Sequence, residues 1–293
     1  MKVLIPVISF HYLTGSELYV YELARELIRR GHGVTVAAMA VSGAMEEPAK
    51  AAGIRAFPML DFPAGERFDV IHANEPIPTR WALGRWPGTP TLCSVHSQYP
   101  CEEPVLDGRI RHYICVRPEV QEKITRGDGI PVEKTSVIYN PIDFARFHNG
   151  AAPEPHGGKR VLFCGTIDPL RKRTIEDLIR RAWVEGFSLR LVGLKACGYD
   201  GYIDRELPAN VSWHDQTWHI EEHVRWCDET AGILLGRTTI EGWACGKPGW
   251  IYDIDLAGVV RSRTLHQVPA DMERFEVGHV TDQIEALYRR CLG

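Results

Sequence analysis

Apolar residues follow two alternating patterns along the chain. Residues 3–8 are an unbroken apolar run, as expected of a parallel strand covered on both faces. After the loop 9–15, Leu18, Tyr19, Leu23, Leu27 and Ile28 recur at helical spacing through residues 17–30. Arg29 and Arg30 suit the negative end of that helix dipole, and Gly31 is placed to end it. Residues 34–38 are the next strand. The alternation continues with strands at 54–57, 70–72, 91–95, 113–116 and 136–138 and helices near 44–52 and 119–125. Strands alternating with helices predict a parallel sheet with helices on both faces.

Residues 148–159, HNGAAPEPHGGK, break the pattern with three Gly, two Pro and little apolar content, and a domain boundary is expected there. Beyond it the pattern restarts. Strands fall at 161–164, 189–192, 211–213, 232–235 and 250–252, and helices at 174–183, 220–227 and 238–245. A final amphipathic segment, 281–292, puts Ile284, Leu287, Tyr288 and Leu292 on one face. The expected organisation is α/β, with two similar halves at 1–150 and 151–278 and a last helix within 279–293. Two such halves facing each other make a cleft, and open α/β sheets bind ligands beyond the carboxyl ends of their strands.

Composition narrows the choices. With 293 residues the chain has room for one large or two modest domains. Hydrophobic residues at 44% and charged residues at 25% exclude a disordered or fibrous chain. Residues 1–150 hold 16 Lys+Arg against 17 Asp+Glu and the remainder 18 against 21, so neither half is a basic arm and no nucleic-acid partner is expected. No apolar run approaches the roughly 20 residues that cross a bilayer. The start MKVLIPVISF lacks a small-residue cleavage site and reads as a buried strand. The eight cysteines are therefore expected as free, mostly buried thiols in a reducing, cytoplasmic setting, extracellular disulfides being the alternative. None is spaced Cys-x-x-Cys, so no metal site is expected.

Four constellations carry candidate chemistry. Thr14-Gly15-Ser16-Glu17 follows the first strand, where a glycine and a helix N-terminus admit an anion; it also reads as an ordinary capped turn. No Gly-x-Gly-x-x-Gly or Gly-Lys-Ser/Thr loop is present, so a dinucleotide cofactor is not expected. Gly165 to Arg173 ends the first strand of the second half, and its cations Arg171, Lys172 and Arg173 either neutralise a diphosphate or form a solvated basic turn. In Gly236-Arg-Thr-Thr-Ile-Glu241 a strand gives way to a helix. Backbone N–H groups and the hydroxyls of Thr238 and Thr239 can hold phosphate oxygens, and Glu241 can accept from a ribose. Capping by Thr238 and a dipole role for Glu241 are the alternatives. His96 ends the strand 91–95 and can bond a sugar hydroxyl or pack as a plain histidine.

The stretches TGSELYVYELARELIRRGHGVTV, FDVIHAN, the His96 strand, VIYNPIDFARF, LFCGTIDPLRK and GRTTIEGWACGKP together resemble the family 4 retaining glycosyltransferases. They stand in the family's order and cover nearly the whole chain. The resemblance implies the GT-B fold, two facing Rossmann-like domains with a cleft between them. It also implies a nucleotide-sugar donor, UDP- or GDP-linked, bound mainly by the second domain, and no cofactor. Lys172 matches the phosphate-binding lysine and Glu241 the second Glu of the Glu-(seven residues)-Glu motif, which holds the ribose. Gly15 matches the glycine loop near the donor phosphates, and His96 the histidine near the donor sugar. The last helix is expected to pack back onto the first domain.

This sequence departs from the family where the motif's first Glu falls on Ile233 and the arginine accompanying the lysine falls on Thr166. Arg171, Arg173 or Arg237 can replace that charge. Only 17 residues separate His96 from Ile114, a region where relatives carry acceptor-binding helices, so the acceptor side is expected to be open or completed by a partner. The expected activity is metal-independent transfer of a sugar, hexosyltransferase-like, to a hydroxyl acceptor on a glycan, a lipid-linked molecule or a small molecule. His96, Lys172 and Arg171 are the expected catalytic groups. Gly165, Thr166, Arg173, Arg237, Thr238, Thr239 and Glu241 join Gly15 around the donor. The alternatives are a non-catalytic nucleotide-sugar-binding protein or partner subunit, and an epimerase on the same scaffold. Trp81, Trp86 and Tyr99 are candidates to stack on a sugar. A membrane surface is a candidate partner, although the apolar face of 17–30 is needed by the sheet.

Overall fold

The computed structural model describes residues 1–98, 104–148, 156–196 and 206–293. Tyr99, Cys101, Cys197 and most of the 148–159 segment lie outside the described residues. The chain divides into two compact units, Met1–Pro141 with Arg274–Gly293, and Ile142–Glu273.

The first unit runs β1 (Lys2–Phe10), α1 (Gly15–Arg29), β2 (Gly33–Val41), α2 (Glu46–Ala51), β3 (Arg55–Pro58), β4 (Val70–Ala73), α3 (Pro76–Arg85), β5 (Thr91–Val95), β6 (Ile110–Cys115), α4 (Pro118–Arg126) and β7 (Thr135–Val137). Its seven strands form a parallel sheet in the order β3-β2-β1-β4-β5-β6-β7. Val3, Leu4, Ile5 and Val7 of β1 are fully buried, as an apolar run in a central strand should be. Against the sheet α1 buries Tyr19, Val20, Leu23, Ala24 and Leu27.

Helix α3 was not foreseen from the pattern. Pro76, Pro78 and Gly84 interrupt any apolar stripe, yet a proline fits the first turn, where its missing N–H is no loss. The helix carries Trp81 into a cluster with Phe62 and Trp86, their ring centroids 5.3–5.5 Å apart. Trp86 also donates its Nε1–H to Glu66 O at 2.8 Å. These two tryptophans are therefore core packing and not a sugar platform.

The second unit runs α5 (Phe144–His148), β8 (Arg160–Cys164), α6 (Lys172–Glu185), β9 (Ser188–Val192), β10 (Val211–His214), α7 (Ile220–Trp226), β11 (Glu229–Ile233), α8 (Arg237–Ala244), β12 (Gly249–Ile254) and β13 (Val260–His266). The order is β10-β9-β8-β11-β12-β13, parallel except for β13. That last strand, VRSRTLH, is an exposed edge whose Arg261 and Arg263 blunt edge pairing, so it shows no apolar alternation to read. The divide between units falls at Pro141/Ile142, ahead of the expected 148–159 segment. The reason is α5. Its buried Phe147 lends its carbonyl to Cys245 Sγ at 3.4 Å, and Arg146 Nε meets Glu221 Oε2 at 3.0 Å.

The chain ends in α9 (Val277–Leu292), which belongs to the first unit. It buries Val280, Ile284, Leu287 and Tyr288, whereas Leu292 in its last turn is exposed. Arg30, expected to serve only the α1 dipole, is the fastener. Its guanidinium donates to Asp282 Oδ1 at 2.6 Å, Glu285 Oε2 at 2.9 Å and Gly278 O at 2.7 Å. Among the described residues no helix is long and apolar enough to cross a membrane. The six described cysteines are free thiols.

Candidate functional site

Both sheets start at a central strand, run outward on one side, and then cross to the other side of that first strand. The order reverses between β1 and β4 in the first unit and between β8 and β11 in the second. Beyond the carboxyl ends of such a strand pair, diverging loops leave a crevice suited to ligands.

In the second unit the loop after β8 and the start of α8 meet at this position. The Thr238 hydroxyl donates to Cys164 O at 2.9 Å, fastening the first turn of α8 to the last residue of β8. The α8 N-cap is Gly236, and no side chain caps the helix among the described residues. The first N–H groups of α8 thus have no intrahelical acceptor, the arrangement that favours an anion. Leu234, just before it, has φ of +52°, a left-handed conformation that costs a non-glycine residue about 1 kcal/mol. On the other side of β8, Gly193 has φ of +154°, and a Cβ there would lie 2.0 Å from Gly165 O. The β8 and β9 loops are that close, and Ile167 N donates to Leu194 O at 2.8 Å to hold them.

Arg237 Nε meets Glu241 Oε1 at 3.1 Å one helical turn apart, with both side chains buried. Glu241 is held by one oxygen, in reach of the helix start. Thr239 turns inward, its methyl group filling the space left by Gly249, and its hydroxyl has no partner among the described residues. Its side chain is therefore structural, and only its N–H is available to a ligand. The Cys164 thiol beside Glu241 is pushed up to about 12 by burial.

The three cations separate. Lys172 opens α6 and is half-exposed, with Glu176 Oε1 at 4.0 Å. Arg171 precedes it, and its guanidinium is held by Asp168, whose other oxygen accepts Arg171 N at 2.9 Å. This pair braces the turn and neutralises much of the Arg171 charge. Arg173 is exposed and lines a pocket of about 500 Å³ with Asp177, Tyr252, Val259, Val260, Ser262 and Arg263, away from the other candidates. Thr166 is half-buried in the pinned loop beside Gly165.

In the first unit, Gly15 is the exposed first residue of α1, and a Cβ there would touch nothing within 4 Å. The turn before it is organised by Glu17, a buried carboxylate accepting from Tyr12 N at 3.2 Å and Thr14 N at 3.1 Å in a capping box. His96 is half-buried after β5. Its Nε2 lies 2.9 Å from Asn74 Oδ1, and its ring stands edge-on to Tyr19 at 4.8 Å. Burial and the Arg117 charge lower its pKa to about 4, so it is neutral at physiological pH. Behind it Tyr19 and His72 share Ser94 Oγ at 2.9 and 2.7 Å, and His72 Nδ1 reaches Tyr288 of α9 at 2.6 Å.

A family model described as Glycosyltransferase Family 4 matches residues 13–146, from the loop after β1 into α5. Over that segment the chain is similar to glycosyltransferase family 4. The fold agrees. HepE of Anabaena, solved in complex with UDP-glucose, is similar at 16% identity with a TM-score of 0.77, over 99% of this chain and 100% of that one. A glycosyltransferase of Rickettsia africae ESF-5 gives 13% identity and 0.71 over 99% and 98%. AviGT4, a glycosyltransferase involved in avilamycin A biosynthesis, gives 16% and 0.66 over 100% and 98%. These are GT-B folds, each built like this chain from two α/β units. No curated protein sequence matches the chain.

The two departures from the family 4 pattern have clear local settings. Ile233 is the half-buried last residue of β11, paired with Tyr252 of β12. Thr166 sits where the β8 loop is stitched to the β9 loop. The polar network around His96 was missed because it is spread over α1, β4, β5 and α9. Its only sequence signal is polar residues, His72, Asn74 and Ser94, inside or just after apolar strands.

Proposed function

We propose that the chain is a retaining glycosyltransferase that takes a UDP- or GDP-linked sugar and places the diphosphate beyond the carboxyl ends of β8 and β11. The observation that carries this is the Thr238–Cys164 hydrogen bond, which sets the uncapped start of α8 beside the Lys172-bearing turn at the sheet's reversal point. HepE, crystallised with UDP and with UDP-glucose, supports a uridine nucleotide as the first choice. Glu241 accepts from the ribose hydroxyls. The α8 N–H groups and Lys172 take the phosphate oxygens, with Gly165 and Thr166 framing the turn.

In the reaction the bond from the sugar's anomeric carbon to the β-phosphate oxygen breaks. A bond to the acceptor oxygen forms on the same face, and the acceptor's proton passes to a phosphate oxygen. Lys172 and the α8 dipole stabilise the charge that grows on the leaving diphosphate, so no metal is needed. The acceptor is a hydroxyl compound.

A thermal-shift comparison of UDP, GDP, ADP, dTDP and their sugars tests the reading. One nucleotide should raise the melting temperature, a ligand at 100 times its Kd adding about 2.7 kcal/mol. Lys172→Ala should cut kcat about 100- to 1000-fold. Full transfer by Lys172→Ala would exclude the mechanism. Ile233 and Thr166 favour a second reading, a nucleotide-sugar-binding subunit without catalysis; donor binding with neither transfer nor hydrolysis across many acceptors would establish it.

A further inference from the structure

Within the second unit a groove of about 500 Å³ lies between α6 and the β12–β13 hairpin. Small-molecule sites span roughly 300–1,000 Å³. Its walls are fixed. The hairpin turn is closed by Asp255, whose Oδ1 accepts from Ala257 N and Val259 N, each at 2.9 Å. Gly258, with φ of +74°, seats that turn against the loop before α6, since a Cβ there would lie 2.4 Å from Leu170 O. Tyr252 of β12 is fully buried beneath and donates its hydroxyl to Asp177 Oδ2 at 3.0 Å.

The charge of the groove is positive. Asp177 is its one carboxylate among the described residues, and both oxygens are engaged. Oδ1 takes the Arg180 guanidinium, and Oδ2 takes Arg263 Nη1 at 3.2 Å besides the Tyr252 hydroxyl. Asp255 stands near Arg173, but its carboxylate serves the turn and Arg261 lies beside it. Arg173 is left over. It is exposed on the lining and makes no hydrogen bond or ion pair among the described residues. Arg263 engages only part of its donor fork on Asp177, and its guanidinium stands 5.4 Å from the Trp250 ring centre, a cation–π contact that holds it. Beside these cations the half-buried Val259 and Val260 give the groove an apolar wall.

We propose that this groove binds a small organic oxyanion, a carboxylate or phosphate carried on a compact apolar body. Arg173 and Arg263 take the oxyanion through charge-assisted hydrogen bonds. Val259 and Val260 cover the body. An inorganic anion has nothing to set against the valines, and a neutral apolar molecule leaves Arg173 unanswered. Every residue involved belongs to the second unit, and the site does not rest on the function proposed above.

NMR titration of protein labelled at the valine methyl groups tests this, with benzoate and phenyl phosphate as probes and benzyl alcohol and inorganic phosphate as controls. The signals of Val259 and Val260 are assigned by their loss in Val259→Ile and Val260→Ile. The expected result is saturable movement of both signals by one probe or both, with a Kd of about 1 mM or below. The tighter probe identifies the oxyanion. Each control should bind at least about 10-fold more weakly, and Arg173→Gln should weaken the probe about 10-fold. Arg173 is exposed and unpaired, so its replacement leaves the fold intact. Val260→Glu, which sets a carboxylate on the apolar wall, should abolish binding. No saturable movement of the two valines with either probe overturns the proposal, as does movement confined to valines elsewhere. Unchanged affinity in Arg173→Gln, or a control that binds as well as the probes, overturns it equally.

Discussion

Arg237 and Glu241 show how a carboxylate is paired inside a fold. Both are buried and joined at 3.1 Å, so removing one leaves an uncompensated charge on the other. Arg237→Ala should therefore lower stability by about 3 kcal/mol in urea unfolding. A loss below about 0.5 kcal/mol would show the pair to be dispensable. The spacing of four residues between them is legible in the sequence as one helical turn. Its consequence is not, because Arg237 reads equally well as a phosphate cation. The same holds for Arg171, which the structure spends on Asp168, and for Thr239, whose side chain turns into the sheet. Motif spacing reveals which residues gather at a strand end. It does not reveal which of them face one another and are consumed.

Among the elements, the β11–α8 connection carries the most tension. Leu234 at φ of +52° occupies a conformation that glycine adopts freely and β-branched residues resist. Leu234→Val should lower the melting temperature, and Leu234→Gly should hold or raise it. The reverse order would mean that the Leu234 side chain, and not its backbone, sets the loop. Strand β11 was read as 232–235 from its apolar residues and lies instead at Glu229–Ile233, because the backbone turns at Leu234 to feed α8. The strong elements, β1, α1, β5, β8 and α6, were legible because one face or both are apolar at the period of their geometry. Helix α3 and strand β13 were not, the first being broken by proline and the second being an exposed edge.

At the scale of the whole molecule, each α/β unit repeats one strand order, with Gly15 opening the helix after β1 in the first unit and Gly165 following β8 in the second. That repetition is legible as a restart of the apolar pattern. The fastening of α9 to the first unit is only half legible, since Arg30 and Tyr288 meet their partners across more than 200 residues of sequence. The buried histidines of the first unit make stability depend on pH. Burial lowers His72 to about 3 and, with Arg117, His96 to about 4, whereas both titrate near 6.5 in the unfolded chain. Below about pH 6.5 the unfolded chain binds protons that the folded unit refuses, so stability is full above that pH and falls toward pH 4. His112 of β6, buried and lowered to about 4 by burial and Arg290, acts in the same direction, and the three groups together give a slope of about 4 kcal/mol per pH unit. Urea midpoints between pH 7 and pH 5 check it, and His72→Gln should flatten the curve; a level profile would mean that these rings are charged in the fold.

The most direct test is a crystal structure of the chain soaked with UDP-glucose. The account predicts the diphosphate against Lys172 and the first N–H groups of α8, with the ribose on Glu241. A nucleotide bound anywhere else, with the Thr238–Cys164 junction bare, would contradict it.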